Sequence, residues 1–214
     1  MKNGLLLLLT CMLAGSSAVA GTQSPQQPLT QAEILERIDR SASRIESLQC
    51  EFTQTKELSL LQERMISHGV MYYRQQGGLL RWEYLAPYRY TFILNGDRVM
   101  VQSGGRTDVV ETSGNRMFRE IARMMMNSLT GRCLTTASDF EVQVTVQSDC
   151  WVAELIPRRR EMEQFFARVR LHFDPERQLV TRVEMIERNG DSTVIDLKNM
   201  QLNTTIDEKV FAVD

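Results

Sequence analysis

From residue 49 onward the apolar residues recur at every second position in short runs, and the breaks between runs are too brief to hold a helical crossover. Cys50 to Gln54, Val70 to Tyr73, Leu80 to Tyr84, Tyr90 to Leu94, Val99 to Val101 and Thr107 to Glu111 are predicted strands. Gln76-Gly77-Gly78, Pro87, Asn95-Gly96-Asp97 and Ser103-Gly104-Gly105 are the turns between them. Connections this short join neighbouring strands as hairpins, so the segment reads as an antiparallel meander. The pattern resumes at Phe140 to Val146, Trp151 to Ile156, Phe165 to Phe173, Leu179 to Glu187 and Thr193 to Asn199. Within Phe165 to Phe173 one face is apolar and the other largely charged.

Two stretches carry a helical period instead. Thr30 and Glu33 form a capping box, and Leu35, Ile38, Ala42, Ile45 and Leu48 follow three or four apart, which predicts a helix from about Gln31 to Ser47. Asn115 caps a second run in which Phe118, Ile121, Met125 and Leu129 share one side, Met117, Met124 and Met126 stand beside them, and Gly131 is the stop. Its methionines either fill an irregular core or make an adaptable surface for variable apolar partners. About eleven strands and two helices without an internal repeat make an α+β domain, because a parallel βαβ architecture needs more helices.

The N-terminus stands apart. Lys2, the apolar run from Leu5 to Ala14 and the small residues ending at Ala20 have the layout of a signal peptide cleaved before Gly21. That run is shorter than a bilayer span needs. Thr10 and the brief leucine run fit a lipid-modified Cys11 poorly. Residues 21–29 form a polar leader, and residues 30–214 form one domain. With 43% hydrophobic and 24% charged residues the chain has the balance of a globular domain able to bury a sizeable core. Its 25 basic and 27 acidic side chains leave a net charge of −2, with no basic run to meet a nucleic-acid backbone. Export places Cys50, Cys133 and Cys150 where disulfides form. Cys133 and Cys150 flank one predicted strand and are the candidate bridge, whereas Cys50 reads as a small buried hydrophobe.

Catalytic signatures are missing. His68 and His172 each lie inside a predicted strand without a second ligand at metal-like spacing, Gly190-Asp191-Ser192 sits at a hairpin turn, and no GxSxG, GxGxxG or P-loop occurs. Arg158-Arg159-Arg160 reads as a charged loop. Neither a metal nor another cofactor is expected, and the chain is read as a binding protein rather than an enzyme.

A sheet apolar on one face, with two amphipathic helices to cover it, closes as a barrel or stays open as a half-barrel under a lid. Phe52-Thr53-Gln54 after the first helix, Gly69 to Arg74, Leu80-Arg81-Trp82-Glu83-Tyr84, Pro87 and the Asn95-Gly96-Asp97 turn resemble the LolA-type periplasmic carriers of outer-membrane lipoproteins. Asn203, Asp207 and Phe211 look like that family's C-terminal signature. The resemblance implies an unclosed antiparallel half-barrel whose lid helices cover a hydrophobic cavity for acyl chains. On that pattern Phe52, Met71, Tyr73, Leu80, Trp82, Tyr84, Phe92 and Leu94 hold the chains, and Ile121, Met124 and Met125 cover them. It further implies a monomer in the periplasm, acylated lipoproteins as cargo, a lipoprotein-releasing transporter at the inner membrane and an acceptor at the outer one. Family members carry a Lys-Arg-Pro whose arginine latches the lid; here Arg74-Gln75-Gln76-Gly77-Gly78 stands there, and Arg74 is the latch candidate. If Arg74 matches the lysine instead, it faces the other side of its strand unless the extra residue forms a bulge. A carrier or sensor of another lipid, glycolipid or phospholipid, is the alternative reading, and an exported hydrolase the remoter one.

Overall fold

The computed structural model describes residues 29–96, 98–111, 126–127, 130–134, 140–164 and 166–213. The expected signal peptide, nearly all of the polar leader and most of the predicted second helix, with Ile121, Met124 and Met125, lie outside them.

Helix α1 spans Gln31–Ser43. Both arms of the capping box form: Glu33 N–H donates to Thr30 Oγ1 at 3.3 Å and Thr30 N–H to Glu33 Oε2 at 2.8 Å. Ile34, Ile38 and Ala42, four apart, are buried. The helix stops short of the expected Ser47 because the chain there is taken by the sheet. Asn203 Oδ1 accepts from Glu46 N–H at 2.8 Å and Ser47 N–H at 3.3 Å, and its amide donates to Arg44 O at 3.0 Å. One side chain thus ties the helix exit to the far end of the chain, from a backbone φ of 54° that asparagine tolerates better than most residues.

Eleven strands follow: β1 Ser47–Leu58, β2 Glu63–Arg74, β3 Leu79–Ala86, β4 Tyr90–Asn95, β5 Arg98–Ser103, β6 Arg106–Glu111, β7 Phe140–Val146, β8 Trp151–Pro157, β9 Arg168–Asp174, β10 Leu179–Ile186 and β11 Ser192–Leu202. They form one antiparallel sheet in the order β6-β5-β4-β3-β2-β1-β11-β10-β9-β8-β7. Strands β1 to β6 and β7 to β11 are two meanders, joined where β1 lies beside β11 with Leu48 opposite Leu202 and Phe52 opposite Leu197. The sheet does not close, since β6 and β7 end it on either side. It does curl: a single apolar cluster runs from Val99 on β5 to Phe140 on β7 and takes in Ile34 and Ile38 of α1. That cluster defines the inner face, with α1 lying over the side formed by β7 and β10.

The outer face is closed over β2 to β5 by the C-terminal segment. A 3-10 turn at Glu208–Phe211, capped by Asp207, buries Phe211 against Leu79 and Ile206, and Val213 against Ile93 and Met100. Arg81, Asn95 and Arg98, from three successive strands, donate to the carbonyls of Val210, Phe211 and Val213 at 3.1, 2.9 and 3.1 Å. These bonds satisfy backbone acceptors that lie outside any ladder.

Candidate functional site

Phe52, Met71, Tyr73, Leu80, Trp82 and Leu94 are all buried in the inner-face cluster, with Tyr84 and Phe92 half-buried against it. Strand alternation puts them there. Tyr73 lies opposite Leu80, Met71 opposite Trp82 and Trp82 opposite Phe92, so equal parity on three strands gives one continuous apolar surface.

Its centre is an aromatic shelf. Phe52 meets Trp82 with ring centroids 4.4 Å apart and 35° between planes, and meets Tyr84 edge-on at 5.2 Å and 86°; Tyr84 continues to Tyr90 at 5.8 Å. Phe52 is on β1 and Trp82 on β3, so the ring must cross β2, and it does so over Gly69, its partner in register. A Cβ at Gly69 would sit 2.5 Å from the Phe52 ring and 2.0 Å from Glu83 O. Glycine is therefore required here for close approach. This role of Gly69 is legible only once the strand register is known. The Tyr84 hydroxyl donates to Gln54 Oε1 at 2.8 Å, and burial pushes its phenol above the usual range. Cys50, on the same face, has its thiol pushed up to about 12 by burial. It is the inert small hydrophobe that its position suggests.

The other half of the sheet contributes as much. Trp151, Leu155, Leu171, Phe173 and Leu197 belong to the same cluster, although the site expected from the sequence took in no strand beyond β4. The alternation Val169-Leu171-Phe173 was the available signal. Of the methionine-rich run, Met126 is described and packs against the cluster.

Arg74 and Cys150 have other neighbours. Arg74 is one residue out of phase with Tyr73 and so leaves on the outer face, where it pairs with Glu208 at 3.2 Å and lies 5.7 Å over the Phe211 ring. No bulge intervenes between the two, so Arg74 holds the C-terminal segment, and the lid run it was expected to latch lies outside the described residues. Arg132 links two elements: its Nη2 donates to Ala42 O at the end of α1 at 3.2 Å and to Gln75 Oε1 in the β2–β3 turn at 2.8 Å. A Cβ at Gly131, just before it, would lie 3.0 Å from both Ile38 and Phe173, so glycine lets the chain pass close to them. Cys150 carries a free thiol beside Gln147 and His172 rather than half of a bridge, and the side chain of its expected partner, Cys133, lies outside the described residues. Among the described residues no group of three metal-ligating side chains converges, and no helix is long and apolar enough to cross a membrane.

The family model for the outer membrane lipoprotein carrier protein LolA matches residues 43–214. An outer-membrane lipoprotein carrier protein of Methylococcus capsulatus is 25% identical over 166 residues, spanning 77% of this chain and 76% of that one. An uncharacterised conserved protein of Thermus thermophilus shares the fold, with a TM-score of 0.51 at 12% identity over 84% of this chain and 91% of that one. A LolA superfamily protein of Nitrosomonas europaea aligns at a TM-score of 0.47 and 13% identity, covering 86% of this chain and 98% of the other.

Proposed function

This chain belongs to the LolA family of outer membrane lipoprotein carrier proteins, and from that premise we propose that its inner face takes the acyl chains of lipoproteins and ferries them through the periplasm from the inner to the outer membrane. The supporting observation is the aromatic shelf of Phe52, Trp82 and Tyr84, continuous with apolar side chains across both meanders, on a sheet whose opposite face is charged or covered. The family is one of carriers, and this reading needs no bond to be made or broken.

Magnitudes shape the mechanism. At ~0.8 kcal/mol per buried methylene, a chain of about 16 carbons gains on the order of 12 kcal/mol, and three such chains would exceed any known non-covalent affinity. A dry, preformed slot would hold its cargo permanently. Here Phe52 and Trp82 are only 2% and 3% exposed, so acyl chains must first displace what covers them. The lost side-chain packing offsets part of the gain and brings the net affinity into a range from which an acceptor can draw. Phe52, Met71, Tyr73, Leu80, Trp82, Tyr84, Phe92 and Leu94 then exchange protein contacts for methylene contacts, and Ile121, Met124 and Met125 make the adaptable cover. A donor transporter and an outer-membrane acceptor complete the route, and the carrier works as a monomer.

Native mass spectrometry and lipid extraction of the mature protein from its own periplasm, beside Trp82→Glu checked for folding by circular dichroism, test the proposal. Acylated lipoprotein on the wild type and none on the variant is the expected result. A free phospholipid or glycolipid in its place would make this a carrier of a different lipid. An empty protein that also fails to take up a synthetic lipopeptide would end the carrier reading.

A further inference from the structure

Where α1 runs out toward β1, a groove of about 530 Å³ opens between the helix and the β9–β10 turn. Arg37, Arg40 and Arg44 come from one stripe of α1, spaced three and four apart, and Arg177 faces them from the turn. Among the described residues four guanidinium groups border the groove and no carboxylate does, in a chain whose net charge is −2. Glu36 pairs with Arg40 and so offsets one of the four, Glu33 is held by the Thr30 cap, and Arg37, Arg44 and Arg177 have no ion pair with a carboxylate among the described residues. Arg177 spends one N–H on Met200 O at 3.4 Å and keeps the rest of its fork. Favourable interaction with the helix C-terminus accounts for one or two such cations on α1. It does not account for a fourth on a separate turn, pointing into the same space.

The floor is of another kind. Ile45 is buried and Leu202 half-buried, and both pack in the inner-face cluster beside Leu48. Asn203 and Gln178 add polar lining. Guanidinium forks recognise phosphate oxygens in pairs, and an apolar floor joined to the core favours a phosphate attached to an alkyl body over a hydrated free anion.

We propose that this groove seats the anionic, phosphate-bearing headgroup of an amphiphile. The proposal rests on the carrier reading only in supposing that the alkyl part is taken by the inner face. Because the arginines are exposed, binding is weak and salt-dependent.

Isothermal titration of the mature protein with monomeric dihexanoyl phosphatidic acid, dihexanoyl phosphatidylcholine and inorganic pyrophosphate tests it, with Arg44→Gln/Arg177→Gln as the variant. The expected result is phosphatidic acid binding about tenfold tighter than phosphatidylcholine and tighter than pyrophosphate. The variant should lose about tenfold for phosphatidic acid, and Arg44→Lys/Arg177→Lys should restore part of it. Pyrophosphate binding as tightly as phosphatidic acid, with both weakened in the variant, would overturn the amphiphile and leave a site for free phosphate. Phosphatidic acid no tighter than phosphatidylcholine, or unaffected by the variant, overturns the groove. Lipopeptide uptake by Trp82→Glu separates the two proposals: uptake lost there with phosphatidic acid binding insensitive to Arg44→Gln/Arg177→Gln removes the groove alone. Uptake intact there with the groove variant defective removes the carrier reading alone.

Discussion

The outer face of the sheet is handled in two ways. Over β2 to β5 the chain's own C-terminus covers it, burying Phe211 and Val213 and receiving N–H bonds from Arg81, Asn95 and Arg98. Over β8 to β11 nothing among the described residues covers it, and the strands carry a lattice of ion pairs. Glu154 meets Arg168 and Arg170, Glu184 meets Arg170, and Asp196 meets Arg182 at 2.7 Å. Apolar burial contributes through area and is lost all at once, whereas exposed ion pairs contribute little each and chiefly keep the face soluble and its strands in register. The covered half should therefore be the stiff wall of the inner face, and the bare half the one that tolerates substitution.

Phe211→Ala should have the largest effect. The ring is 1% exposed, and its loss should cost about 3–5 kcal/mol in urea denaturation at neutral pH. A loss below about 1 kcal/mol would mean the segment is an ornament rather than a wall. Asn95→Ala removes one N–H from the Phe211 carbonyl and should cost about 1 kcal/mol. Asp196→Asn, on the bare half, should change stability by no more than about 0.5 kcal/mol.

Acid sharpens the same contrast. The hydrogen bond from Arg170 holds the Glu154 carboxyl below its usual range. A carboxylate depressed in the folded state adds stability that is fully present above its unfolded pKa and is lost as pH falls through the folded value, that is, below about pH 4. Glu154→Gln should thus lower stability slightly at pH 7, leave it nearly unchanged at pH 3, and so flatten the fall between pH 5 and pH 3. Asn95→Ala, which involves no titrating group, should leave the slope as it is.

Much of this architecture was legible in alternation alone. The eleven strands were expected, and β7 ran as expected from Phe140 to Val146. Strand ends were legible only where the core reached them. The β1–β2 hairpin extends to Leu58 and Glu63 because backbone pairing continues past the apolar cluster, and polar residues such as Lys56 and Arg64 carry no period to show it. The inner-face residues up to Leu94 followed from parity. Parity also puts Arg74 on the outer face, since a shift of one position from Tyr73 exchanges the faces. Gly69 beneath Phe52 and the arginine groove depend on register and on a turn far away in the chain, which no local window contains. The start of β9 at Arg168 rather than Phe165 follows from the helical turn at Arg160–Glu163, hidden in what reads as a charged loop.

The seam between β1 and β11 has a kinetic consequence. Every other pairing joins strands consecutive in the chain, so each meander can zip from its own turns at small loop-closure cost. Only the seam must bring Leu48 to Leu202, and it lies at the middle of the sheet, where neither half has an inner wall until the other arrives. Assembly should be limited by this one encounter. Residues such as Phe52 and Leu197, which face each other across it, are then the positions whose truncation should slow folding rather than merely hasten unfolding.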